Sequence, residues 1–274
     1  MHPSFARKKL VLPLVALLCA AVLFAAPVSA AAFEFTVTAR TAFDKMTGDA
    51  GQASGDKLKK QYAELQALQK QDLDWDTKVN GLHYRNEESL IAVKKSAKEI
   101  DAAKVARLET ELTAARKKYE PVFKLYDSLK QQHTAAKKLK SKTAVAYLEP
   151  QLDAAKFGVT LAKEDLKKKE AALKAAKTAA TAARKKVADT LSGADSLNVK
   201  IKAAKSTIST TKKHFATEGA VLNQAVRKAD VTASSGSFIR MISYQKQIIE
   251  QKQKIHVYET QIEAVIAKAK ALIP

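Results

Sequence analysis

The stretch that decides the fold is 152–187, LDAAKFGVTLAKEDLKKKEAALKAAKTAATAARKKV. Leu152, Ala155, Val159, Ala162, Leu166, Lys169, Leu173, Ala176, Ala180, Ala183 and Val187 recur at alternating steps of 3 and 4 residues. That 3.5-residue period marks a helix with one continuous stripe to bury against another helix. No glycine or proline interrupts it after Gly158. Ala at many stripe positions allows close axial approach but buries little per contact, since a methyl is small beside a Val or Leu side chain.

The same period recurs on both sides. Upstream it runs through Leu108, Leu112, Ala115, Tyr119, Val122, Tyr126, Leu129, His133 and Ala136. Downstream it runs through Leu197, Ile201, Ala204, Ile208, Thr211 and Phe215, then Leu222, Ala225 and Ala229. An earlier helix is expected from Asp56, carrying Leu58, Tyr62, Leu65, Leu68, Trp75, Val79 and Leu82, with Gly81 as a candidate break. The last helix carries Phe238, Met241, Ile248, Ile255, Ile262, Val265, Ala269 and Leu272. Pro150 and Ser192-Gly193-Ala194-Asp195 are expected to turn the chain, and Asp230 to Ser237 to link two helices. The period runs through Pro121 unbroken, which favours one kinked helix from about Tyr84 to Tyr147. The expected fold class is therefore all-α: an elongated antiparallel coiled coil or helical bundle of long helices, with a short extended N-terminal segment.

Composition agrees. In 274 residues there are 8 Gly, 6 Pro, 1 Cys and 1 Trp, so an all-β or α/β domain would lack turn residues. Aromatic residues make up only 6%. Disulfide-scaffold, collagen-like and polytopic membrane classes are excluded.

Three segments are expected. Residues 1–30 read as a secretory signal peptide: Arg7, Lys8 and Lys9, then an apolar run from Leu10 to Ala26, then Val28-Ser29-Ala30 before the cleavage point. The run is short for a membrane anchor and contains Pro13; Leu18 before Cys19 argues against lipidation. Cleavage removes three cations and the sole cysteine, leaving a chain of net charge +17 that can form no disulfide. Residues 31–55 read as a flexible lead-in, with Phe33-Glu34-Phe35-Thr36-Val37-Thr38 as one short strand and Gly48, Gly51, Ser54 and Gly55 as a linker. Residues 56–274 form the helical domain. The expected location is outside the cytoplasmic membrane, secreted or held at the envelope, with no integral span after cleavage.

Chemistry-bearing motifs are sparse. Asp72, Asp76, Asn80, His83 and Glu87 stand 4, 4, 3 and 4 residues apart. On one helix face they are the single, weak candidate for a divalent cation; a solvated face is the leading reading. Asp72-Leu73-Asp74-Trp75-Asp76 imitates the start of a calcium loop, but Thr77 and His83 stand where that loop needs Gly and Glu. No nucleophile elbow, zinc helix or phosphate loop occurs, and no cofactor and no enzymatic activity are expected.

Charge is the remaining signal: 48 Lys+Arg against 28 Asp+Glu. Candidate anion-binding positions are Lys94, Lys95, Lys117, Lys118, Lys137, Lys138, Lys167, Lys168, Lys169, Lys185, Lys186, Lys212 and Lys213. Lysine-lined helices bind polyanions with strong salt dependence and little specificity. No aromatic-rich module suggests specific nucleic-acid recognition. The leading expectation is a non-enzymatic extracellular coiled-coil protein, a structural, adhesive or scaffold element whose Lys faces hold anionic envelope or matrix polymers and whose seams fit self-association into a homo-oligomer. One alternative is a membrane-active α-helical component of the pore-forming kind. Another is an adaptor for a different exported protein, such as a wall hydrolase.

Overall fold

The computed structural model describes residues 32–274, and the expected signal peptide lies outside them. Six α-helices account for nearly all of that span: α1 Val37–Asp49, α2 Gln52–Glu99, α3 Ala102–Lys138, α4 Lys142–Leu191, α5 Asp195–Arg227 and α6 Val231–Lys270. A 3-10 turn, Ser192–Ala194, joins α4 to α5. The protein is an all-α helical bundle.

α6 is the central helix. It packs along its length against both α2 and α5. Contacts that climb together on α2 and α6, from Gln61–Ser235 through Asp72–Lys252 to Asn86–Glu259, show that these two helices run parallel. Arg240–Glu218 and Lys200–Tyr258 show that α5 runs antiparallel to α6. α3 and α4 pack mainly on each other, as an antiparallel hairpin that leaves the upper end of the bundle. Only the end of α4 returns to the bundle core, where Val187 joins Val93, Ile100, Leu197 and Ile262. At 1.5 Å per residue, α2 with its 48 residues spans about 72 Å and the 37-residue α3 about 55 Å.

The apolar stripes read from the sequence are the buried ones. Along α4 every stripe position from Leu152 to Val187 is buried or half-buried, and the same holds for Leu108 to Ala136 of α3. In α5 only Ala229, which lies just past the helix, departs from the pattern and is exposed.

The chain reverses and bends elsewhere than expected. Pro150 does not stop a helix; it lies inside α4, as Pro121 lies inside α3. The hairpin turn is at 139–141, where Lys140 takes a positive φ of 53° and Ser141 caps α4 through Ala144 N–H. Likewise α2 and α3 are separate helices, divided at Asp101 (φ 56°), not one kinked rod. The backbone stays in the right-handed helical region from Leu191 through Asp195, so the chain passes from α4 into α5 without reversing. Gly81 lies within α2 and breaks nothing. The expected linker 230–237 is the first two turns of α6, capped by Asp230 and with Ser234 and Ser237 fully buried.

The lead-in is also corrected. Residues 32–36 are extended without strand pairing, and Thr36 caps α1 through Ala39 N–H. The alternation of Phe33 and Phe35 is real, but it aims both rings into the foot of the bundle and not at a sheet. Phe35 lies 5.1 Å from Phe43 and from Tyr62, and Phe33 presses on Gly219. The Gly-rich 48–55 region is a tight corner between α1 and α2. A Cβ on Gly55 would come within 2.2 Å of the Thr47 carbonyl oxygen.

Candidate functional site

The polar side chains form two sets, one inside the bundle and one on the arm formed by α3 and α4.

Inside the bundle, α6 carries a seven-residue polar repeat. Gln245, Lys252 and Glu259 are all buried, each on the stripe between the apolar positions. Apolar periodicity had picked out Ile248, Ile255 and Ile262 and passed over these three; the regular gap of seven was the signal that could have found them. Lys252 and Glu259 meet polar members of α2. Lys252 Nζ lies 2.5 Å from Asp72 Oδ1 and 2.6 Å from Asp76 Oδ1, and it donates to the Asp72 carbonyl oxygen at 3.2 Å. One layer up, Glu259 Oε1 accepts from His83 Nδ1 at 2.8 Å. Asn86 Nδ2 donates to Glu259 Oε2 and to its carbonyl oxygen, both at 2.8 Å.

This arrangement divides the candidate cation set. Asp72 and Asp76 face inward but hold the Lys252 ammonium, which already supplies their positive charge. His83 goes to Glu259, with Glu87 3.4 Å from its other ring nitrogen. Asn80 is exposed. Among the described residues no group of three or more His, Cys, Asp or Glu side chains is placed to hold a metal ion.

The electrostatics follow the geometry. The hydrogen bond with Glu259 raises the His83 pKa above 6.5, against desolvation that lowers it. Burial pushes the Glu259 pKa upward, but the hydrogen bonds from His83 and Asn86 outweigh it and leave it below 4.5. Both shifts favour the charged pair. Beside this layer, between α2 and α5, lies a cleft of about 320 Å³ whose rim includes Lys202 and Lys205 of α5.

On the outside, the candidate lysines stand where a polyanion could reach them. Lys94, Lys95, Lys117, Lys118, Lys137, Lys138, Lys167, Lys168, Lys185, Lys186 and Lys213 are exposed, while Lys169 and Lys212 are half-buried. They are not evenly distributed in space. The segment 102–191, the arm with its root, holds 21 Lys+Arg against 10 Asp+Glu. Its net charge of +11 is most of that carried beyond residue 30. Among the described residues, only Lys124, Lys169, Lys177 and Lys185 of its lysines meet a carboxylate. Near the tip, Lys130, Lys137, Lys138 and Lys156 border a groove of about 560 Å³ that also holds the half-buried His133. Fold thus gathers onto one projecting hairpin a charge that the sequence presents as scattered.

No helix of the described residues is long and apolar enough to cross a membrane. Compared with protein-family models, with curated proteins and with solved structures, the chain matches none.

Proposed function

We propose that this chain is a non-enzymatic exported scaffold protein whose cationic arm holds anionic polymers of the cell envelope or matrix. One observation supports the reading above the others: the concentration of +11 on a projecting hairpin, most of whose lysines meet no carboxylate among the described residues. Ammonium groups left unpaired along a rod exchange their small counterions for a polyanion. The gain comes from ion release and falls steeply with salt. The bundle of α2, α5 and α6 serves as the rigid base that presents the arm, and the basic run with an apolar core at residues 7–26 supports export.

The test is a titration of the chain lacking residues 1–30 with inorganic polyphosphate at several salt concentrations. Binding is expected to weaken with a steep linear dependence of log K on log salt. Changing Lys130, Lys137, Lys138 and Lys156 to Gln should weaken it more than changing Lys94, Lys95, Lys212 and Lys213. Equal losses from the two sets, or no binding at low salt, would overturn the arm as the binding element. Export is checked by fractionation of the producing cell, and retention of the full chain in the cytoplasm would refute it.

A further inference from the structure

The two faces of the arm are unlike. Ion pairs cross from α3 to α4 on one face only: Arg116–Glu170 at 2.7 Å and Lys177–Glu109 at 2.5 Å. The acids between 119 and 161 all belong to that face by helical position: Glu120, Asp127, Glu149 and Asp153. On the opposite face, marked by the approach of Gly158 to Val122, the positions flanking the seam from 121 to 161 hold no charged residue. They hold large apolar side chains, with Gln132 and Gln151 as the polar members. Leu125 is 56% exposed, Leu139 80%, Tyr147 71% and Leu161 51%, with Phe157 beside them at 66%. Small residues, among them Ser128, Ala135 and Ala154, lie between. Exposed leucines are ordinary when scattered; a face of them on an otherwise cationic hairpin is not.

The ends of this face are cationic. Lys138, Lys140 and Lys142, all exposed, surround Leu139 at the tip, and Lys118 and Lys168 close the inner end on either side of Asp165. A second copy of the chain fits poorly. A parallel contact sets tip lysines on tip lysines, and an antiparallel one sets them on Lys118 and Lys168, where the one acid on this flank, Asp165, is already engaged by Tyr119 at 3.2 Å and lies 3.9 Å from Lys169. A polyanion supplies the charge but has nothing for the apolar side chains. An anionic lipid bilayer supplies both: headgroup phosphates at the level of the lysines and acyl chains for Leu139, Phe157 and Leu161.

We infer that the uncharged face of the arm, tip included, docks on the surface of an anionic lipid bilayer, lying in the interface without spanning it. This goes beyond polymer binding and does not depend on it, because the apolar side chains are idle in a polymer complex.

The test is co-sedimentation of the chain lacking residues 1–30 with vesicles of phosphatidylcholine alone and of phosphatidylcholine with phosphatidylglycerol, beside the polyphosphate titration. The expected result is binding to the anionic vesicles only. Leu139→Ser, Phe157→Ser and Leu161→Ser together should reduce it about tenfold or more while leaving polyphosphate affinity unchanged. These side chains are more than half exposed, so the triple variant keeps its helical circular dichroism and the comparison stays valid. Three outcomes overturn the inference: no vesicle binding, vesicle binding that the serine variant retains in full, or a dimer by light scattering that the serine variant dissolves. Loss of polyphosphate binding alone counts against the proposed function and leaves the lipid inference standing.

Discussion

Replacing Lys252 by Met is the sharpest probe of the bundle. Lys252 is 3% exposed, and its ammonium is shared between the Asp72 and Asp76 carboxylates, at 2.5 and 2.6 Å, with the Asp72 carbonyl oxygen as a third acceptor. Met keeps most of the volume and removes the charge. Two carboxylates then face each other across one turn of α2 without a counterion. Breaking a buried pair from one side costs about 3–5 kcal/mol. The Asp76 side chain is 44% exposed and can turn to water, so the expected loss is about 2–4 kcal/mol. For a chain of this size that lowers the melting midpoint by roughly 5–15 °C. Trp75, the sole tryptophan, packs edge-on against His256 of α6 at 5.7 Å, so its fluorescence during urea unfolding reads this interface directly. Adding Asp72→Leu and Asp76→Asn to Lys252→Met should restore most of the loss, since an apolar layer of similar volume replaces the ion cluster. A single variant within about 0.5 kcal/mol of the parent would refute the reasoning, as would a triple variant no more stable than the single one.

Two further outcomes follow from the neighbouring features. The His83–Glu259 pair makes stability depend on pH in a defined direction. The raised His83 pKa gives a contribution complete below 6.5 and lost as pH rises through the folded value. The lowered Glu259 pKa gives one complete above 4.5 and lost as pH falls through its folded value. The urea midpoint from Trp75 fluorescence should therefore be highest between 4.5 and 6.5, and His83→Gln should abolish its alkaline decline; a midpoint that does not fall toward alkaline pH contradicts the pairing. At the foot, Gly55→Ala puts a methyl into the Thr47 carbonyl and should detach α1 at a cost of about 1–3 kcal/mol, seen as faster amide exchange across 37–49 with exchange in α5 unchanged.

The seams were legible because burial of an apolar stripe is periodic and survives any detail of the turns. The turns were less legible. Asp101, Lys140 and Ala229 adopt left-handed dihedrals that glycine would ordinarily take, so no composition signal marks them. Conversely, Pro121 and Pro150 invite a break that long helices with partners can absorb. Phe33 and Phe35 alternate like a strand, yet Thr36 starts a helix three residues before the buried Ala39. In the polar set, the spacing places Asp72, Asp76 and His83 on one face of α2, but nothing in α2 alone shows that this face turns inward, and it reads as solvated. Their partners were not legible either, because Lys252 and Glu259 lie far along the chain and interrupt an otherwise apolar stripe. The concentration of charge on the arm needed the fold itself, since it depends on which two helices leave the bundle together.

The arm meets the bundle through two strands of chain at one level. One is the break at Asp101, and the other is the uninterrupted passage through Ser192–Ala194; the Arg184 guanidinium bridges them by donating to the Ile100 carbonyl oxygen at 2.8 Å. Two anchor points define an axis and resist the twisting that a single tether would allow. With a lever of about 55 Å, a swing of about 10° carries the tip by roughly 10 Å. Because α4 passes into α5 through a single 3-10 turn, any load gathered at the tip passes down one backbone into the heart of the bundle. There it is borne in shear by the packed length of α5 against α6, the geometry in which many contacts must yield together.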